Sequence, residues 1–271
     1  MKLSKDIQFP AQTHQDQWET LKQFTDARIA IGRAGCSIPT HALLDFQLSH
    51  AQAKDAVFQS LNVTHLQEQL QKLGLDPIHV QSQAEHKELY LKRPDLGRLL
   101  STDSTQLLQQ MQKDSQGFDV CIVIGDGLSA RAIEENALPF IQALIQPFAE
   151  QQWSLAPVVI ATGSRVALGD QIAEIFQARM LVMLIGERPG LSSPDSMGLY
   201  YTWEAQSGCL DSQRNCISNI RPAGLSTPIA TQRLLALMHN SKRLGLSGVD
   251  LKDEHVVPIL EEEHHQRRLL F

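Results

Sequence analysis

The sequence predicts an α/β protein whose centre is a doubly wound parallel sheet. Three apolar runs, FDVCIVI from Phe118, PVVIATG from Pro157 and MLVMLIG from Met180, suit strands buried on both faces. Helical patterns separate these runs, and strand, helix and strand in succession form right-handed parallel crossovers. The sequence therefore indicates a Rossmann-like sheet, preceded by a helix-rich N-terminal extension.

The N-terminal elements follow from apolar spacing and from helix signals. A helix over HALLDFQLSHAQAKDAVFQ is expected to be capped by Thr40, with a stripe of Leu43, Leu44, Leu48, Ala51 and Val57. A second helix, HLQEQLQKLG, should end at Gly74. The segments IHVQ and ELYL alternate enough to predict short strands. A helix over STQLLQQMQKDSQ, with Leu107, Leu108 and Met111 on one face, leads into the sheet.

The later helices show clearer periodicity. One carries the apolar residues Ile133, Ala137, Phe140, Ile141, Leu144, Ile145 and Phe148, and another runs from about Ala167 to Ala178 with Ile172, Ile175 and Phe176 inward. Ser193–Pro194 and Thr227–Pro228 each predict a cap and a first helical position, and Gly245 should close the helix that follows Thr227. We expect an N-terminal region over 1–115, a sheet domain over 116–249 and a charged tail over 250–271.

Composition excludes several classes of function. The chain has 271 residues and a net charge of −6, so it lacks the basic excess expected for nucleic-acid binding. No apolar run approaches the length of a membrane span, and the N-terminus resembles neither a signal peptide nor a transit peptide. The four cysteines are sparse, which favours reduced thiols and a cytoplasmic location.

Ligands of open parallel sheets bind beyond the carboxyl ends of the strands. The loops expected there are GDGLS (Gly125–Ser129), ATGSRV (Ala161–Val166) and GERPG (Gly186–Gly190). GDGLS lacks the third glycine of a dinucleotide fingerprint, so its glycines either form a turn or contact a phosphate or amide. Ser129 lies in GLSAR, which is not the G-x-S-x-G pattern of a serine hydrolase.

Two further residues draw attention by their position. Glu187, directly after a buried strand, can accept hydrogen bonds from a ligand, or it can form a local ion pair with Arg188. Cys216, in NCISNI, is by its chemistry expected to be a small buried side chain and not a nucleophile. The cysteines and histidines lack the spacing of a zinc site, so no metal ligands are expected.

Long words of the sequence resemble the small, cobalamin-binding subunit of ethanolamine ammonia-lyase. They are GERPGLSSPDSMGLYYTW, NCISNIRPAGL, IGRAGCSIPTHALLDFQLSHAQAKDAVF, LYLKRPDLGRLL, VIGDGLSARAIEEN and SRVALGDQIAEIF. They occur in matching order from about Arg28 to Gly248. The resemblance therefore covers most of the chain, including N-terminal segments that by themselves indicate no function.

The resemblance implies part of an adenosylcobalamin-dependent lyase that converts ethanolamine to acetaldehyde and ammonia by radical chemistry. It implies a hetero-oligomer, in which a barrel-type large subunit supplies the substrate site and the cofactor lies between the two subunits. The family's cobalamin contacts fall on Val166, Glu187 and Cys216 in this sequence. No residue of this chain is expected to be catalytic, and the chain alone is expected to be inactive.

The family also sets two expectations about context. Some members carry a longer N-terminal extension that is associated with packaging into a bacterial microcompartment, whereas this sequence begins almost directly before the matching region. The D-x-H-x-x-G pattern by which other cobalamin proteins replace the cofactor's lower base is absent, so that base should stay on cobalt. The competing hypotheses are a self-sufficient nucleotide-binding enzyme that uses GDGLS, and a structural or regulatory module.

Overall fold

The structure is a computed structural model that describes residues 13–14, 16–112 and 117–252. The predicted tail thus lies outside the described residues beyond Lys252. In chain order the described elements are β1 Thr13–His14, a 3-10 helix Gln17–Phe24, β2 Arg33–Ala34, α1 Thr40–Phe58, α2 Val63–Lys72, β3 Pro77–Gln81, α3 Lys87–Lys92, α4 Thr102–Gln112, β4 Phe118–Gly125, α5 Ala130–Glu150, β5 Val158–Thr162, α6 Leu168–Ile175, β6 Ala178–Gly186, β7 Met197–Trp203, β8 Arg214–Ile220 and α7 Thr227–Leu244.

One six-stranded sheet forms the centre, with the strand order β3-β5-β4-β6-β7-β8. The first four strands in that order are parallel, which confirms the prediction for the three apolar runs and for IHVQ. β7 and β8 extend the sheet antiparallel, and the sequence analysis did not predict either strand. The sheet is therefore mixed and mostly parallel.

The order of the parallel strands differs from that of the dinucleotide-binding fold. Along the chain they are β3, β4, β5 and β6, and their spatial order is first, third, second, fourth, whereas the dinucleotide-binding order is 3-2-1-4 at the same point. The crossover from β4 to β5 moves toward one edge of the sheet, and the crossover from β5 to β6 moves toward the other edge. This follows because β5 and β6 pair with opposite sides of β4. This reversal sends α5 and α6 to opposite faces of the sheet.

Two cores lie on the two faces. Alternate residues of β4, such as Ile122 and Val123, point into different cores, as expected for a strand buried on both sides. The face covered by α2, α5 and α7 buries the predicted α5 stripe, apart from the half-buried Ile145. On the other face, Ile172 and Phe176 pack with Leu108 of α4 against the sheet, while Ile175 is half-buried. None of the described helices is long and apolar enough to cross a membrane.

The prediction of a strand at ELYL was wrong, because this segment forms α3. His86 caps the helix, and its Nδ1 accepts a hydrogen bond from the Leu89 N–H at 3.3 Å. Tyr90 is the buried residue of this short helix. Only one side of α3 is buried, so the alternation of apolar and polar residues in ELYL did not come from a strand.

The prediction of a helix at Ser193–Pro194 was also wrong. The Pro194 carbonyl accepts from Ser129 Oγ at 2.8 Å, and the Asp195 carbonyl accepts from Asn136 Nδ2 at 2.9 Å. Both donors belong to the start of α5, so these carbonyls do not serve a helix of their own. At α7 the helix is confirmed, but the capping position is Ser226 rather than Thr227, and Gly245 ends the helix with a φ of 70°.

The N-terminal helices form where expected, but their apolar stripes are not buried. α1 begins after Pro39 with no side-chain cap, so Thr40 does not cap it. Its buried residues are Ala53 and Ala56, whereas Leu43, Leu44, Leu48 and Ala51 are exposed and Val57 is half-buried. In α4, Leu108 is buried while Leu107 and Met111 are exposed. Periodicity located these helices correctly and assigned their buried faces incorrectly.

A buried ion pair fastens β8 to α6. The Arg214 guanidinium donates to both oxygens of Asp170, at 2.5 and 2.7 Å, and the two side chains are 2% and 1% exposed. Arg214 also donates to the Cys209 carbonyl at 2.8 Å. Two parallel hydrogen bonds fix both orientation and distance, so this pair sets the position of the last strand against the sheet's second face.

We expect Asp170→Ala to lower the free energy of unfolding by about 3–5 kcal/mol, because it leaves the buried Arg214 cation with a single carboxylate partner, the exposed Asp211 at 3.4 Å. Urea unfolding followed by circular dichroism measures this change. Asp95→Ala is the matched control, since it removes the exposed partner of Arg93 and should leave the unfolding midpoint in place. Equal midpoints for the wild type and Asp170→Ala would show that the pair does not hold β8.

Candidate functional site

The three loops predicted to lie at the carboxyl edge of the sheet are in contact there. The Leu128 N–H donates to the Gly186 carbonyl at 2.9 Å, which joins the loops after β4 and β6. The Ser164 N–H donates to Asp126 Oδ1 at 3.0 Å, which joins the loops after β4 and β5. GDGLS, ATGSRV and GERPG therefore form one surface.

These loops enclose an open cleft of about 400 Å³, which we call the edge cleft. Its lining residues are Tyr90, Gly127, Leu128, Arg165, Val166, Ile185, Gly186, Glu187, Arg188 and Tyr200. Two of the three predicted site residues, Val166 and Glu187, are thus brought together. The walls combine apolar side chains with a carboxylate and guanidinium groups, as small-molecule sites commonly do.

Val166 lies just before α6 and is half-buried. One side of it packs against the core formed by α6 and the sheet, and the rest faces the edge cleft. It provides an apolar surface whose position is fixed by the core behind it.

Glu187 is held in place by its neighbours across β7 and β8. Its Oε2 accepts from Ser196 Oγ at 2.5 Å and from the Asn219 N–H at 3.3 Å. No donor among the described residues reaches Oε1, so this oxygen can accept from a ligand. Glu187 and Arg188 form no ion pair with each other within the described chain, which removes the alternative of a local pair.

Cys216 lies one side chain away from the edge cleft. It stands opposite Tyr200 in the pairing of β7 with β8, and Tyr200 lines the cleft. Burial raises the pKa of Tyr200 to about 12, with a further contribution from the neighbouring Cys216. Cys216 itself is exposed, so the expectation of a small buried side chain was wrong. Along β8, Cys216 lies on the same face as Arg214, two residues earlier, whereas Ile217 points into the core on the opposite face.

A charged cluster behind the cleft was missed by the sequence analysis. The Tyr90 hydroxyl donates to the Ser164 carbonyl at 3.1 Å, and Lys87 Nζ donates to the Gly127 carbonyl at 2.9 Å. Burial raises the pKa of Asp126 and lowers the pKa of Lys87, while their mutual attraction opposes both shifts. The sequence signals were that Tyr90 belongs to LYLKRPDLGRLL and that Asp126 belongs to GDGLS.

GDGLS is used for packing, which argues against a phosphate loop. A Cβ on Gly127 would clash with the Gly186 carbonyl oxygen, so this glycine permits two backbones to approach closely. Ser129 is fully buried, and its Oγ caps α5 by accepting from the Ala132 N–H at 3.1 Å. The Pro194 carbonyl covers the same hydroxyl. The helix end that a nucleotide phosphate would need is therefore already occupied by protein groups.

Metal ligation also lacks support in the part of the chain that the structure describes. No group of three or more His, Cys, Asp or Glu side chains there could hold a metal ion. The described cysteines are all free.

The thiols should differ sharply in reactivity. In the folded chain we expect iodoacetamide to label the exposed Cys216 much faster than Cys121, whose pKa burial raises to about 12. Peptide mapping by mass spectrometry at neutral pH gives the two rates, and labelling in denaturant should make them equal. Comparable rates in the folded chain would contradict the position of β8.

Comparison with known proteins gives consistent results. The family model described as Ethanolamine ammonia-lyase light chain (EutC) matches residues 15–252. A protein of Pseudomonas putida (strain W619) named Ethanolamine ammonia-lyase small subunit is 48% identical to this chain over 260 residues, which cover 96% of this chain and 95% of the relative. The one from Pseudomonas fluorescens (strain Pf0-1) is 49% identical over 250 residues, covering 92% and 91%. That of Azotobacter vinelandii (strain DJ / ATCC BAA-1303) is 48% identical over 248 residues, covering 91% and 92%.

Proposed function

We propose, from the fact that this chain belongs to the ethanolamine ammonia-lyase light chain family, that its edge cleft holds adenosylcobalamin against a large subunit. The family is that of a lyase, and the relatives are named as its small subunit. The large subunit, which we expect to contain a barrel, would carry the site for ethanolamine. We assign no catalytic residue to the present chain.

The observation that carries this proposal is the pairing of Val166 and Glu187 in one open cleft at the carboxyl edge of the sheet. A corrinoid presents an apolar ring surface and a rim of amide groups. Val166 offers an apolar contact, and Glu187 Oε1 has no protein donor and can accept from an amide N–H. The residues present therefore fit the group. Cys216, exposed beside Tyr200, would touch the same ligand from β8.

The size of the cleft supports a shared site. About 400 Å³ suits a drug-sized ligand, whereas a cobalamin is several times larger. The cleft is also open, so a ligand seated in it would keep most of its surface outside this chain. A second subunit would have to cover that surface and exclude water from it.

The division of labour follows from these residues. When bound, adenosylcobalamin supplies the radical chemistry, and the protein supplies binding, orientation and shielding. Val166 and Tyr200 would exclude water from one side, while Glu187 would fix the rotation of the ligand through an amide hydrogen bond. The sheet is Rossmann-like in this limited sense: helices cover both faces and the ligand would sit at the carboxyl edge.

We propose that the N-terminal region, residues 1–115, which contributes β3 to the sheet, otherwise packs on the sheet domain over 116–249 and on the large subunit. The exposed large apolar residues of α1 are Leu43, Leu44, Phe46, Leu48 and Phe58. An apolar groove of about 490 Å³ separates α1 from the segment 25–31. This region reaches the segment just after the GERPG loop, because Ser192 Oγ donates to the Asp26 carbonyl at 3.4 Å. A subunit that covers the cleft would thus also meet this surface, and pairs of subunits would associate further into a hetero-oligomer.

The proposed location is the cytoplasm, with a bacterial microcompartment as the other location that the family implies. The charged tail over 250–271 is given no role in the proposal.

The proposed function is tested by reconstitution. The isolated chain should release no acetaldehyde from ethanolamine, and activity should appear when the large subunit and adenosylcobalamin are added.

Glu187→Gln should weaken cobalamin binding by the assembled complex about tenfold, because a charged acceptor is replaced by a neutral one. Titration followed by cobalamin absorbance measures the affinity.

Glu204→Gln is the matched control, since Glu204 is exposed at the end of β7 away from the cleft. It should bind cobalamin as the wild type does. Unchanged affinity of Glu187→Gln would remove Glu187 from the site. Absence of cobalamin binding by the wild-type complex, together with binding of NAD or ATP by the isolated chain, would instead favour the nucleotide-binding alternative.

The docking of α1 is tested separately. Leu44→Lys should weaken the association of the two subunits about tenfold or more, because it places a charge where an apolar side chain would be buried. Leu107→Lys, a change of the same kind on α4, should leave association intact. Analytical ultracentrifugation of the mixed subunits measures both. Equal association of the two variants would place the large subunit elsewhere.

A further inference from the structure

Arg165 is a charged residue of the edge cleft whose side chain is fixed by its neighbours. Its Cζ lies 4.3 Å from the centroid of the Tyr90 ring, so the guanidinium is stacked on an aromatic face. The backbone N–H of Arg165 donates to the Gly97 carbonyl at 2.7 Å. Gly97 also leaves room for the arginine stem, because a Cβ there would lie 3.0 Å from Arg165 Cγ. The side chain is therefore held before any ligand binds.

This held cation has no anionic partner. No carboxylate of the described residues forms an ion pair with Arg165, and its Nε is buried without a hydrogen-bond acceptor. The nearby Asp126 is engaged by the Ser164 N–H and faces Lys87. The Nη groups also form no hydrogen bond with the described residues, and they are not among the buried atoms, so they can donate to a ligand in the edge cleft.

The surroundings of Arg165 also favour an anion. Arg188 lines the same cleft without an ion pair among the described residues, and Glu187 is the carboxylate of the lining. The cleft thus carries a local positive excess in a chain whose net charge is −6. The backbone N–H groups of Val166 and Ala167, the two residues that follow Arg165 and precede α6, have no acceptor within the described chain.

We infer that Arg165 binds a phosphate ester, and that this ester is the phosphodiester of the cofactor's nucleotide arm. The inference rests on the proposed function. The rim of a cobalamin carries neutral amides and one phosphodiester, and the planar fork of an arginine matches two phosphate oxygens. A neutral amide would satisfy a donor without balancing the charge. Arg165 is thus assigned to the phosphate, as Glu187 is to an amide.

The test compares cobalamin with cobinamide, which has the same corrin ring but lacks the phosphate and the lower base. Both are titrated by absorbance into the assembled complex of wild type and of Arg165→Met. We expect Arg165→Met to weaken cobalamin binding about 10- to 100-fold and to change cobinamide binding less than about twofold. Arg165→Lys keeps the charge without the fork, so its affinity for cobalamin should lie between those of the wild type and Arg165→Met.

Arg179→Met is the matched control, because Arg179 is exposed near the start of β6 at the opposite edge of the sheet. It should bind both corrinoids as the wild type does. If Arg165→Met does not fold, Arg165→Lys decides alone by its ratio of cobalamin to cobinamide affinity. Equal weakening of both corrinoids, or no weakening of either, overturns the assignment to the phosphate.

Failure of the proposed function gives a different result. In that case the wild-type complex binds neither corrinoid. Binding of ADP or inorganic phosphate that is lost in Arg165→Met, in a complex that does not bind cobalamin, would assign the phosphate site to another ligand. That outcome overturns both the cofactor and its phosphate as the occupant.

Discussion

The site depends on the close approach of two backbones at the carboxyl edge of the sheet. β4 and β6 are neighbours, and the loops that follow them touch without side chains between them, since a Cβ on Gly127 or Gly186 would strike the opposite loop. This contact fixes where GERPG leaves the sheet. Glu187 then falls within reach of Ser196 and Asn219, which hold one carboxylate oxygen and leave the other open. The glycines of GDGLS thus act on the site through the shape of the sheet edge.

A second constraint places Cys216, the more distant of the proposed site residues. Asp170, in the helix that follows Val166, binds Arg214, two residues before Cys216. The same ion pair therefore ties the loop that carries Val166 to the strand that carries Cys216. Tyr200 completes the connection, because it pairs with Cys216 and lines the edge cleft. The loop that carries Val166, strand β7 and strand β8 are thus held together by the Asp170–Arg214 pair and by Tyr200.

The sequence predicted those parts of the fold whose periodicity is satisfied within this chain. The α5 stripe repeats at helical spacing because the sheet buries it, and Phe118–Gly125 is apolar throughout because both faces are covered. The α1 stripe was misassigned, since its apolar residues remain exposed in this chain. β7 was missed because the Ser-Pro signal favoured a helix there, and β8 because its two isoleucines, Ile217 and Ile220, are three residues apart and give no strand alternation. Arg165 and Tyr90 could not be linked from sequence, since their stacking depends on α3 lying over the loop after β5. Of the candidate site, position at a strand end indicated Glu187 and the loop that carries Val166, whereas the choice of Val166 itself and a ligand contact for Cys216 came from the family resemblance.

The exposed α1 helix has a consequence for how the protein is made in the cell. Its surface leucines and phenylalanines form the kind of patch that soluble monomers seldom display, and such patches promote aggregation. If the large subunit covers them, each newly made small subunit is at risk only until it meets its counterpart. Balanced translation of the two chains would then matter as much for solubility as for activity, and an excess of the small subunit would be removed by precipitation or proteolysis.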